Sequence, residues 1–114
     1  MIPGKYNMIC PQGATFEQNI TYLIDDTAVN LNGYTAKMQV RDKHFSPDTV
    51  VSLTSASGIA ITASAGMLAI SIGASTTRNI KPGDYVYDFE ITSSGGIVSR
   101  ILEGRFTVTP EVTR

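Results

Sequence analysis

The most constraining feature of this chain is an alternation of period two that runs through nearly all of it. In GDYVYDFEIT, Gly83 to Thr92, the apolar residues Tyr85, Tyr87, Phe89 and Ile91 alternate with a polar series that includes Asp84, Asp88 and Glu90. Successive side chains of a strand point to opposite faces, so such a segment offers one face to a core and the other to water. The same alternation groups Phe16, Gln18, Ile20, Tyr22 and Ile24 in ATFEQNITYLID, and Tyr34, Ala36, Met38 and Val40 in LNGYTAKMQVRD. The first of these reads as one long core strand.

The alternating segments are short and separated by turn residues, which is the mark of an all-β chain. Asn32-Gly33 opens one strand, KHFSPD is a loop with a proline, and ASAG and SSGG are hairpin connections. Further strands lie in TVVSLTS, GIAIT, GMLAISIG and IVSRILEGRFTVTP, with Leu68, Ile70 and Ile72 on one face and Leu102, Phe106 and Val108 on another. Gly104 is the candidate position for a bulge, and Pro110 ends the last strand. ASTTRNIKPGD is the one place for a helical turn, with Ser75 or Thr76 as its cap. The expectation is one domain over residues 1–114, a two-sheet antiparallel sandwich of about seven to eight strands, with short arms at 1–7 and 110–114.

Composition narrows the classes. A chain of 114 residues that is 42% hydrophobic and 17% charged has the material for one core and is too apolar for disorder. The net charge is −1 and the basic residues are scattered, so no nucleic-acid partner is expected. No apolar run approaches the roughly 18 residues of a spanning helix, and MIPGKYNMIC has no apolar core of a signal peptide, so neither a membrane nor a secretory route is expected. Cys10 is the only cysteine, which rules out an internal disulfide and suits a small, half-buried residue in the first strand. Without a secretory signal the sequon Asn19-Ile20-Thr21 reads as coincidence.

The acids of GDYVYDFEIT raise the question of a site. Along a strand Asp84 and Asp88 stand about 13 Å apart, whereas oxygen ligands lie only about 2.3–2.6 Å from calcium, so one ion cannot take both. Asp88 and Glu90 are about 7 Å apart, a spacing found in glycosidases, but nothing adjacent supplies a cleft. Pairing with YTAKMQVR instead sets Lys37 and Arg41 against Asp88 and Glu90 on an outer face, each pair contributing about 0.2–1 kcal/mol. Each large apolar side chain beneath contributes about 1.5–3 kcal/mol, so the aromatics fold the strand and the charges set its register. His44, the sole histidine, sits in a loop, and GAST with Thr77 and Arg78 lacks the glycine cradle of a phosphate site. No catalytic residue, cofactor or metal is expected.

NIKPGDYVYDFEI resembles the E–F corner of immunoglobulin-like domains, with Tyr85 or Tyr87 as the corner tyrosine whose hydroxyl returns to backbone. That resemblance implies an immunoglobulin-like topology. A wider one joins GKYNMICPQGATFEQNITY, VNLNGYTAKMQVRD, GDYVYDFEIT and IVSRILEGRFTVTPEVTR, which together resemble small structural proteins of tailed bacteriophages and the N-terminal modules of baseplate and fibre-anchoring proteins. It implies a non-enzymatic virion protein, made in the host cytoplasm, in a tail, baseplate or fibre attachment. Its partners would be other phage structural proteins and copies of itself. A head-decoration or neck protein is the alternative within that class. A carbohydrate-binding module for the host surface, using Tyr6, Tyr34 or Phe45, is the alternative from another. Ile2, Pro3 and Tyr6 in one arm, and Pro110, Glu111, Val112 and Arg114 in the other, are the candidates for contact between subunits.

Overall fold

A computed structural model describes residues 4–113. Its elements are β1 (Gly4–Lys5), β2 (Met8–Pro11), β3 (Phe16–Thr21), β4 (Leu23–Ile24), β5 (Thr27–Ala28), β6 (Thr35–Arg41), β7 (Val51–Thr54), β8 (Ile59–Thr62), β9 (Met67–Ile72), α1 (Ala74–Arg78), β10 (Gly83–Thr92) and β11 (Val98–Thr109). The larger sheet runs β1-β11-β10-β6-β7, with β2 also on β11, and the smaller runs β3-β9-β8.

The alternation of β10 does what its pattern requires. Tyr87, Phe89 and Ile91 are buried, opposite Val40, Met38 and Ala36 of antiparallel β6. From the other sheet Leu68, Ile70 and Ile72 of β9, with Phe16 and Ile59, close the core. Phe16 and Phe106 meet edge to face across the two sheets, their ring centres 5.4 Å apart, in the arrangement that the aromatic quadrupole favours. Tyr85 is the corner tyrosine, its hydroxyl donating to the Lys81 carbonyl at 2.5 Å.

Four features differ from the sequence expectations, each for a local reason. First, the N-terminal arm is no free arm from residue 4 onward. Strands β1 and β2 pair in parallel with β11, and Cys10, opposite Val108, is fully buried rather than half-buried. Between them the chain steps around Gly104, where a side chain would overlap the Tyr6 carbonyl. The Tyr87 hydroxyl donates to that carbonyl at 2.5 Å, and the Arg105 amide donates to Asn7 Oδ1 at 3.0 Å. Ile2 and Pro3 lie outside the described residues.

Second, the bulge in β11 is at Ile101 and not at Gly104, since Phe89 faces Leu102 while Glu90 faces Arg100. Third, the long first strand stops at Thr21 and gives way to the β4–β5 hairpin. Asp25 and Asp26, with φ of 52° and 62°, form the left-handed pair that a tight hairpin turn demands. Fourth, Gly73 occupies the cap position of α1, with no side-chain cap from Ser75 or Thr76, and Thr77 is the buried polar residue.

Truncating Phe106 to Ala should remove about 3–5 kcal/mol of stability, measured by chemical denaturation, because it opens the joint between the sheets. A loss below about 1 kcal/mol would contradict that role.

Candidate functional site

Two polar constructions stand out from the sandwich, one on the outer face of the larger sheet and one at its end. On the outer face, the extra residue at Ile101 carries Arg100 to the solvent side, opposite Glu90. There Arg100 meets Glu103 at 3.1 Å and Asp88 at 3.9 Å, and Lys5 of β1 meets Glu103 at 3.4 Å. The hydrogen bond from Arg100, seconded by Lys5, holds the Glu103 carboxyl below the usual carboxylate range.

The four charges read from the sequence are thus distributed differently. Lys37 does stand opposite Glu90 in the β6–β10 ladder. Arg41 stands opposite Val86, and its guanidinium donates to the Ser46 carbonyl at 2.8 Å and to Gln39 Oε1 at 3.0 Å. It therefore holds the β6–β7 loop, while Asp88 takes Arg100 as its ion-pair partner. A depression of about 110 Å³ lies among Gln39, Arg41, His44, Asp88, Arg100 and Glu103. Beside His44 in the chain, Phe45 is 98% exposed. Such a surface offers guanidinium donors and carboxylate acceptors to a polar ligand. Among the described residues, no group of three His, Cys, Asp or Glu is placed to hold a metal ion.

The tyrosines and the cysteine are positioned for structure. Burial, with Tyr6 and Glu103 adding to it, pushes the Tyr87 phenol well above the ordinary tyrosine range, so it stays a donor. Burial, and then Asp42, raises Tyr85 in the same sense. Burial also raises the Cys10 thiol, which keeps it in its unreactive form.

The second construction joins segments far apart in sequence. Thr77 of α1 donates to the Ala14 carbonyl at 2.8 Å and accepts from the Gly13 amide at 3.1 Å. The Gln12 side chain donates to the Ile80 carbonyl at 3.0 Å and accepts from the Glu111 amide at 3.1 Å. Arg78 faces the Glu111 carboxylate at 3.8 Å. Gly13, at φ +83°, lies where any side chain would overlap that carboxylate. Of the candidate C-terminal arm, then, Glu111 is fastened to the body, Pro110 and Val112 are exposed, and Arg114 lies outside the described residues. At the other end Tyr6 is both exposed and bound, its hydroxyl 3.5 Å from Gln18 Oε1.

Sequence reasoning missed Gln12 and the joining role of Thr77, which it weighed only as part of a phosphate-binding turn, and it missed Arg100. The only local signal for the first two was the Gln12-Gly13 turn. The role of Arg100 depends on a bulge that no alternation announces.

No family model matches the chain, and no curated protein matches it. Among solved structures it is similar to CopC from Methylosinus trichosporium OB3b, at 17% identity and a TM-score of 0.50, over 94% of this chain and 89% of that one. It is also similar to a chicken TCR, at 13% identity and a TM-score of 0.60, over 99% of this chain and 57% of that one. Both likenesses are of fold alone, and they establish an immunoglobulin-like β-sandwich. In this chain the two faces of the sandwich have six and three strands, and the corner tyrosine lies on β10, a central strand of the larger one.

Because the folded state lowers the Glu103 pKa, its ion pairs stabilise the fold above the ordinary carboxylate pKa. That contribution is lost as pH falls through the lowered folded value. Glu103→Gln should lower the melting point slightly at neutral pH and leave it nearly unchanged in strong acid, so that the acid limb of the stability–pH curve flattens by the same small amount, checked by thermal melts from neutral to acid pH. An unchanged acid limb would contradict the ion-pair geometry.

Proposed function

We propose that this chain is a non-enzymatic structural subunit of a tailed-phage particle, a tail, baseplate or fibre-attachment component present in several copies. The observation that carries this reading is the lock between Gln12-Gly13 and Glu111. These residues belong to the QG start and the PEVTR end of the pattern by which the sequence resembles phage structural proteins. In the fold they meet across 99 residues.

The lock has a mechanical consequence. A chain end left free after Thr109 would sample many directions, and binding a neighbour through it would cost ordering entropy. Fastened at Glu111, the chain leaves the body in one direction, with Val112 exposed at the exit. Solvent-facing Ile9, Ile97 and Val98 supply further apolar surface of the kind that subunit contacts use. A module of this design suits an assembly in which every copy must present its ends alike.

A second reading, a module that binds host-surface carbohydrate, is favoured by fully exposed Phe45, the residue after His44, which lines the polar depression with Arg41, Asp88 and Arg100. An aromatic face next to paired donors and acceptors is chemistry that a sugar ring matches.

Two experiments separate these readings. In a phage lacking its own copy of the gene, Glu111→Ala should give a folded subunit that incorporates severalfold less well, by immunoblot of purified particles. A chain cut after Glu111 should test the exit itself. Wild-type incorporation of both would overturn the structural role of this end. On a glycan array the isolated domain should stay blank under the first reading, whereas binding abolished by Phe45→Ala would establish the second.

A further inference from the structure

We infer that β3 is a docking edge for a second copy of this chain, paired antiparallel with itself about Asn19. The ladder fixes which backbone groups are available. Ser71 donates to the Gly58 carbonyl at 2.8 Å and Tyr22 to the Gly66 carbonyl at 2.8 Å, so the odd residues of β9 serve β8 and its even residues serve β3. With Phe16 facing Ile72, Gln18 facing Ile70 and Ile20 facing Leu68, those three residues of β3 turn their amides and carbonyls to β9. Glu17, Asn19 and Thr21 then turn theirs to the free side. The Asn19 carbonyl there accepts from its neighbour's side chain, Gln18 Nε2, at 3.2 Å, a local substitute for a partner strand.

Among the described residues this is the least protected sheet edge. Sheet edges are ordinarily blunted by proline, lysine, bulges or shortness. Strand β1 is two residues long and carries Lys5, β2 ends in Pro11, and β7 and β8 have four residues each. Strand β3 has six residues in unbroken register, with neither proline nor lysine. It opens onto a groove of about 320 Å³ whose other lining residues are Gly4, Lys5, Tyr6 and Leu102, so the nearby lysine belongs to β1 and not to the edge strand itself.

The strand is also complementary to itself in one direction only. Turned about Asn19, it sets Glu17 opposite Thr21 and Asn19 opposite Asn19, each pair exchanging both backbone bonds with no like charges opposed. A parallel, in-register pairing would instead place Glu17 beside Glu17. The antiparallel contact joins the two smaller sheets into one continuous sheet across a two-fold axis. Leu23 and Ile24, each half-exposed immediately after β3, add apolar surface at its end.

The inference rests on the multi-copy reading for its setting, but it is tested on the isolated full chain. Its failure therefore leaves particle incorporation to be judged separately. In sedimentation equilibrium over a concentration series, the wild type should dimerise. Asn19→Pro removes a donor only from the free side, so it should stay folded by circular dichroism and dimerise about thirty-fold more weakly, from two lost backbone bonds per dimer.

Should Asn19→Pro disturb the fold, Asn19→Cys decides. Opposed residues of such a pair lie about 5.5 Å apart, within disulfide range, so mild oxidation should give a covalent dimer. Ala60→Cys on the opposite edge should not. Buried Cys10 stays silent in both. A wild type that is monomeric throughout, an Asn19→Pro variant that stays folded and dimerises like the wild type, or an Asn19→Cys variant that fails to cross-link would overturn the proposal.

Discussion

Phe89 sits fully buried in the middle of β10, between Met38 of β6 and Leu102 of β11, and the rest of the sandwich is built around that position. With Tyr87 and Ile91 it forms the apolar wall against which β9 lays Leu68, Ile70 and Ile72. Each such side chain contributes about 1.5–3 kcal/mol, whereas each exposed ion pair contributes about 0–1 kcal/mol. The aromatic face therefore decides where β10 lies. The acids on its other side follow, free to take whichever cations the neighbouring strands bring.

The two edges of that wall show how hydroxyl groups and missing side chains finish what burial begins. Tyr87 extends past the core to bind the Tyr6 carbonyl, and Gly104 leaves space for the same carbonyl. Together they seat the N-terminal strands on β11. At the far end the buried Thr77 hydroxyl pairs with the half-buried Gly13 amide and the Ala14 carbonyl at once, so the turn through Gly13 can pass close to Glu111. Leaving such groups unpaired would cost about 1–3 kcal/mol each, which is why polar residues rather than apolar ones occupy this junction.

How much of this was legible depends on whether the deciding interaction is local. Strand β10 coincides with GDYVYDFEIT from end to end, and β6 and β9 follow their alternations, because period two and burial are properties of the segment itself. The corner tyrosine was legible only as Tyr85 or Tyr87, through the resemblance of NIKPGDYVYDFEI to an immunoglobulin corner, and the Lys81 carbonyl four residues away from Tyr85 decides between them. Alternation through Tyr22 and Ile24 hid the β4–β5 hairpin, since the positive φ of Asp25 and Asp26 leaves no mark on hydrophobic pattern. The pairing of β1 with β11, the ion pairs of Arg100 and the lock at Glu111 join residues roughly a hundred positions apart or hinge on one extra residue. No local rule contains them.

The functional reading draws on the same distinction between what folds the domain and what the domain presents. The outer charges of Asp88, Arg100 and Glu103 pair with one another, while Ile9, Ile97, Val98 and Val112 are exposed, and these with the β3 edge are the surfaces that the proposals assign to partners. The proposed structural role is tested most directly by quantitative mass spectrometry of purified particles from a tailed phage whose genome carries this sequence. A fixed copy number that is a multiple of the particle's rotational symmetry is the expected result. Absence from the particles, or a variable trace amount, would contradict a structural role.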